Sequence, residues 1–193
     1  QEMADSPVPQ IVITGSGIAN VAATNMTKTS STVYTFEYDV PTGNGQGTIS
    51  LATGTDPSGN LVTATPTSGA TFTVDNTTLT VNTFTLSDSS LLVGETATVT
   101  LVFSEQVRLF SSDDDITVQN GTLSAMTSGD NITWTGTFTP STNIEDTSNI
   151  LSLANTYTDL AGNTGVTAQT ANYSIDTLAP TAAITYNSDS PYK

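Results

Sequence analysis

The stretch SLANTYTDLAGNTGVTAQTANYSIDT, residues 152–177, decides how this chain is read. It has a counterpart in SLATGTDPSGNLVTATPTSGATFTVDNT, residues 50–77. Both begin Ser-Leu-Ala, both carry Thr-Asp-x-x-Gly-Asn, and both close on an alternating strand that ends in an Asp and a Thr. Upstream, IVITGSGIANVAATNMTKTSSTVYTFEYDVP (11–41) matches ITVQNGTLSAMTSGDNITWTGTFTP (116–140) in pattern, the second copy being shorter in its middle. Self-similarity at a long period is the mark of a tandem repeat.

The repeated unit reads as all-β. Period-two alternation runs through ETATVTLVF, with Ala97, Val99, Leu101 and Phe103 on one face, and through STVYTFEYDV, with Val33, Tyr34, Phe36 and Tyr38. Turn signals such as PTGNGQG, DPSGN, SGDN and LAGN separate the strands. Threonine supplies about a fifth of the chain and, with Ser, Val, Gly and Asn, displaces the residues that build helices. The second copy shows seven strands: A near 79–86, B 95–103, C 115–119, D near 122–126, E 132–138, F 150–157 and G 166–175. Trp134 and Phe138 are expected to face a core with Leu101, Phe103 and Leu153.

Composition removes several functions. A net charge of -15, with Lys28, Arg108 and Lys193 the only basic residues, argues against nucleic acid and anionic membrane surfaces as partners. It makes divalent cations the natural counterions. The absence of His and Cys removes disulfides, zinc sites, thiol nucleophiles and imidazole-dependent triads. Neither a nucleophile elbow nor a phosphate loop is present, since GNGQG follows Pro41 in an expected hairpin turn. An enzyme is therefore not expected. No apolar run approaches the ~20 residues that span a bilayer, so no membrane insertion is expected. The scarcity of lysine and the lack of cysteine suit an extracellular setting.

The segments LLVGETATVTLVFSEQV, YTDLAGNTG and YSIDTLAPTAAIT resemble the bacterial Ig-like domains that occur in tandem in large cell-surface adhesins and other surface repeat proteins. The resemblance covers nearly the whole chain. It implies tandem Ig-like β-sandwiches in an extended rod, often rigidified by calcium at the junctions. The expected domains are 1–77, an Ig-like sandwich incomplete at its N-terminus; 78–177, a complete one; and 178–193, the first strand of a further repeat.

In an Ig-like sandwich the B–C and F–G loops lie at the end where the chain arrives, and strand G finishes at the other end. Stacking two such domains is expected to bring Asp75 and Asn76 near Glu105 and near Asp159 and Asn163. Asp114, in the acidic run Asp113 to Asp115, is a further candidate ligand. Calcium takes six to eight oxygen ligands, and these side chains are hard oxygen donors. The same residues also make a tight turn, with Asp159 accepting backbone bonds and Gly162 supplying positive φ, and an acidic run is commonly a solvated loop. By the same mapping Asp56, Asn60 and Glu2 face whatever precedes the first domain, and Asp176 whatever follows the second.

Two functional classes remain. One is a structural module: an adhesin stalk, a surface-layer unit or a filament unit, with neighbouring Ig-like repeats as partners. The alternative is a module that binds carbohydrate or protein through its sandwich loops. The single Trp sits in a strand expected to be buried, which disfavours sugar binding. Asn-x-Thr/Ser sequons at Asn25, Asn76, Asn120, Asn131 and Asn172 are mostly what chance gives in so threonine-rich a chain.

Compared with the second copy, the first is expected to lack strands A and B. The tail TLAPTAAITYNSDSPYK aligns with TLTVNTFTLSDSSLLV and reads as the opening of a third copy. Two explanations stand side by side: a fragment of a longer array, or a tail strand that completes the open first domain of a second molecule, giving head-to-tail self-assembly.

Overall fold

The computed structural model describes residues 2–40 and 42–185. The chain divides into two compact units between Thr77 and Thr78, and each is built from its own sheets.

In the first unit, β1 (Gln10–Ser16), β2 (Val21–Asn25), β5 (Gly45–Thr53) and β6 (Thr71–Val74) form a sheet in the order β2-β1-β5-β6. The short strands β3 (Thr27–Lys28) and β4 (Tyr34–Thr35) pair separately. Alternation in β1 buries Ile11 and Ile13, which lie opposite Leu51 and Ile49 of β5. Gly47 lets the ring of Phe72 cross the strand, because a Cβ there would sit 2.3 Å from Phe72 Cζ. The expected strand over 31–40 is reduced to the two residues of β4. Among the described residues its only strand partner is the two-residue β3, so Val33 stays 50 % exposed, and Tyr38 instead packs edge-on against Phe72 and donates its hydroxyl to the Ala19 carbonyl.

The second unit is a β-sandwich. One sheet, in the order β12-β13-β9-β7, contains β7 (Val81–Leu86), β9 (Ala97–Phe103), β12 (Gly121–Leu123) and β13 (Thr133–Pro140). Against it stand three short sheets. They contain β8 (Ser90–Leu92), β14 (Glu145–Asn149) and β18 (Tyr173–Asp176); β11 (Ile116–Thr117), β15 (Ser152–Leu153) and β17 (Ala168–Gln169); and β10 (Val107–Arg108) with β16 (Thr158–Asp159).

Inward-facing Ala97, Val99, Leu101 and Phe103 of β9 meet Phe84, Phe138, Leu91, Leu151, Leu153, Tyr173 and Ile175 in one core. Burial of each large side chain contributes roughly 1.5–3 kcal/mol, the principal source of stability in a domain without disulfides. Phe110 links the rings of Phe103, Trp134 and Tyr157, with centroids 5.5, 4.9 and 5.9 Å away. Trp134 faces this cluster but remains half-buried, and its Nε1 has no hydrogen-bond partner.

The first strand changes sheets. β7 pairs with β9, the chain turns at Asp88, whose carboxylate accepts the Ser90 N–H, and β8 then runs parallel to β18 in the opposite layer. The expected strand G is split into β17 and β18, and the expected strand F is reduced to β15, with β16 starting one residue beyond its bound. Just before β15 and just after β17 the Thr170 hydroxyl accepts the Leu151 N–H, and the Thr170 N–H returns to the Leu151 carbonyl, replacing a regular ladder step. Over 178–185 no strand forms, and the remainder of the expected C-terminal strand, 186–193, lies outside the described residues.

Candidate metal centre

Asp159 ends β16, opposite Val107 of β10, and is 1 % exposed. The loop that follows closes back on its carboxylate. The N–H groups of Gly162 and Asn163 donate to Oδ1 at 2.7 and 2.9 Å, and Asn163 Nδ2 donates to Oδ2 at 2.7 Å. Gly162, at φ 99°, takes the left-handed conformation that lets the turn close. Burial pushes this carboxyl up, but the bonds from Asn163, Gly162 and Ala161 outweigh it and hold it below the usual carboxylate range. Glu105, half-buried in the turn after β9, has a carboxylate oxygen within 4.8 Å of one on Asp159. Antiparallel pairing of β10 with β16 brings these two distant segments together.

The first unit repeats this clamp. Asp56 is 7 % exposed, and its Oδ1 accepts the N–H groups of Ser58 and Asn60 at 2.9 Å while Asn60 Nδ2 donates to Oδ2 at 2.8 Å. Gly59 has φ 84°, and the Asp56 N–H returns to the Asn60 carbonyl as the Asp159 N–H does to that of Asn163. Strand register agrees as well. Ile11 faces Leu51 and Val12 faces Ser50, as Ile116 faces Leu153 and Thr117 faces Ser152.

Asp75 and Asn76 follow β6 in the first unit. The Asp75 carboxylate accepts the Thr77 N–H at 2.9 Å, and Asn76 is held by Asn44 Oδ1 and the Gly43 carbonyl. Asp176 ends β18 directly opposite Glu145, a like-charged cross-strand pair. Glu2 is exposed.

The acidic run differs from a solvated loop. It forms the helical turn α1 (Ser112–Asp115), which leaves Asp113 and Asp114 exposed and turns Asp115 inward to 4 % exposure. Asp115 accepts the Ser111 N–H at 2.8 Å and the Thr156 hydroxyl, tying α1 to the segment before Asp159. Sequence reasoning missed Asp115 because nothing in three consecutive aspartates marks which one faces inward. It also missed Asn149, fully buried, which donates to the carbonyls of Asp146 and Tyr173 and accepts from Asn120 Nδ2.

A family model described as "Bacterial Ig-like domain" matches residues 75–175. The chain belongs to the bacterial Ig-like domain family. No curated protein and no solved structure matches the chain at a significant level. Bacterial Ig-like domains are structural modules of the kind found on surface proteins, and the two-layer sandwich of the second unit is the architecture that the family name implies. Among the described residues no helix is long and apolar enough to cross a membrane. In this Ig-like domain the recess lined by Thr127, Ser128, Gly129, Asp130, Thr133 and Thr135 presents hydroxyls and one carboxylate but no aromatic face for a sugar ring.

Proposed function

We propose that the chain is a structural segment of a cell-surface repeat protein, built of tandem Ig-like repeats whose junctions are stiffened by calcium. The observation that carries this reading is the buried Asp159 carboxylate with Glu105 within 4.8 Å of it and no basic side chain in its hydrogen bonds. Two carboxylates this close repel one another, and a divalent cation relieves that repulsion while drawing on further oxygens. Asp75 and Asn76 precede Thr78 by only three and two residues, so they are the first unit's natural contribution to a shared ion. The recurrence of the Asp56 clamp supports the reading of a repeat in which each unit offers the same loop to its predecessor.

Bound, the ion ties several segments to one centre; removed, their charges repel and the linker bends freely. In the same reading the residues after Thr177 begin a further sandwich. Solution scattering of the full chain, with calcium and then with chelator, tests the stiffening. A narrower distribution of end-to-end lengths with calcium is expected, and identical profiles would refute it.

A further inference from the structure

β6 of the first unit and β18 of the second carry the same pattern. Phe72-Thr73-Val74-Asp75 stands beside Tyr173-Ser174-Ile175-Asp176: an aromatic residue, a hydroxyl, a β-branched aliphatic and an aspartate. Each pairs antiparallel on one side, β6 with β5 and β18 with β14. They differ on the other side. β18 is covered by β8, which runs parallel to it with Ser174 opposite Ser90 and Ile175 opposite Leu91. The Ser174 N–H donates to the Ser89 carbonyl at 2.9 Å, and Leu91 is fully buried. Among the described residues β6 is the last strand of its sheet.

The ladder with β5 fixes where the backbone groups of β6 point. The Ile49 N–H donates to the Ala70 carbonyl at 2.7 Å, and the same register places Thr48 opposite Thr71, Gly47 opposite Phe72 and Gln46 opposite Thr73. Hydrogen-bonded pairs alternate along an antiparallel ladder, so Phe72 and Val74 bond to β5 while the N–H and C=O groups of Thr71 and Thr73 point away from it. Both threonines are exposed, and among the described residues no backbone bond from a loop reaches them. Sheet edges are ordinarily blunted by charge, proline or a bulge. β6 carries no charge and no proline, and its register with β5 is unbroken. β2, at the other edge, meets β1 through an irregular step between Ile11 and Ile13.

We propose that the outer edge of β6 is a docking edge for an extended segment of another polypeptide, laid parallel to β6 as β8 lies on β18. The chemistry of that segment follows from β8. A small polar residue lies opposite Thr73, the carbonyl of the residue before it accepts the Thr73 N–H, and an aliphatic residue lies opposite Val74 on the buried side of the sheet, as Leu91 does opposite Ile175. Main-chain bonds supply the affinity, and the alternate side chains supply the selectivity. Of the repeat reading only the match of β6 with β18 is used, and calcium has no part in it.

The probe is a synthetic peptide of residues 87–94, SDSSLLVG, titrated into the full chain while the backbone amides are followed by NMR. Saturable shifts at Thr71 and Thr73, with Ser174 unmoved, are expected. Thr73→Pro removes an outward N–H and is expected to weaken binding roughly tenfold or more. Leu91→Asp in the peptide tests the same edge without altering the chain, and a similar loss is expected. Absence of saturable binding would overturn the proposal, as would affinity unchanged by either substitution, or shifts confined to Ser174, the mark of β8 being displaced. A dimer that protects the Thr71 and Thr73 amides without peptide would give the edge to a second copy and overturn the assigned occupant.

Discussion

Asn163 grips Asp159 at both carboxylate oxygens, through its backbone N–H at 2.9 Å and its side-chain amide at 2.7 Å. The same double grip joins Asn60 to Asp56 in the other unit. A carboxylate this buried, without a basic partner in these bonds, persists because the loop aims backbone and amide N–H groups at it.

Removing that carboxylate strands the donors. Asp159→Ala is expected to destabilise the second unit by about 1–3 kcal/mol, the cost of leaving buried hydrogen-bond groups unsatisfied. Asn163→Ala should cost less, because it removes one amide donor and keeps the backbone N–H. Urea denaturation of the two variants, followed through Trp134 fluorescence, gives the order.

The lowered Asp159 ionisation predicts an acid-side loss of stability. Because the folded state holds this carboxyl below its unfolded value of about 3.9, the contribution is complete above that pH. It falls away as pH drops through the lower folded value. Urea midpoints measured from neutral pH downward should decline below about pH 4, and Asp159→Asn should flatten that decline.

Tyr157 fixes the loop from the other side. Its hydroxyl donates to the Val166 carbonyl at 2.7 Å, its own carbonyl accepts the Gly165 N–H at 2.8 Å, and a Cβ on Gly165 would stand 2.6 Å from its ring. Tyr157→Phe is expected to cost about 0.5–1.5 kcal/mol, since it loses the hydroxyl's bond to the Val166 carbonyl and the longer bond it accepts from the Val166 N–H at 3.2 Å. Gly165→Ala is expected to cost about 1–3 kcal/mol, because the ring is fully buried and cannot yield. Thermal melting of the two single variants should show Gly165→Ala as the more damaging.

The strands that were legible in the sequence are those whose burial is one-sided. β9 alternates cleanly because one face meets the core and the other meets solvent, so Ala97, Val99, Leu101 and Phe103 announce themselves. β14 does not, because EDTSN carries no apolar alternation and its buried position is the polar Asn149. β8 is three residues long and is fixed by its parallel neighbour β18, a long-range pairing that no local pattern encodes. The converse error lay at Val33 to Tyr38, where alternation exists without a strand long enough to pair with it.

The candidate centre divides in the same way. The Asp159–Asn163 turn could be read from Asp-x-x-Gly-Asn, because a local hydrogen-bond cycle needs only those residues at that spacing. The approach of Glu105 depends on β10 meeting β16, and the inward turn of Asp115 depends on Thr156, forty-one residues later. Such meetings are properties of the folded sandwich rather than of any short motif.

The most direct test of the calcium-tied module is a calorimetric titration of calcium into the chelator-stripped full chain, repeated with Glu105→Gln, which keeps the side chain's shape and removes its charge. Saturable binding in the parent chain, weakened roughly tenfold or more by the substitution as one charged ligand is lost, is the expected result. A titration showing no binding, or binding unchanged by Glu105→Gln, would contradict the assignment of this centre.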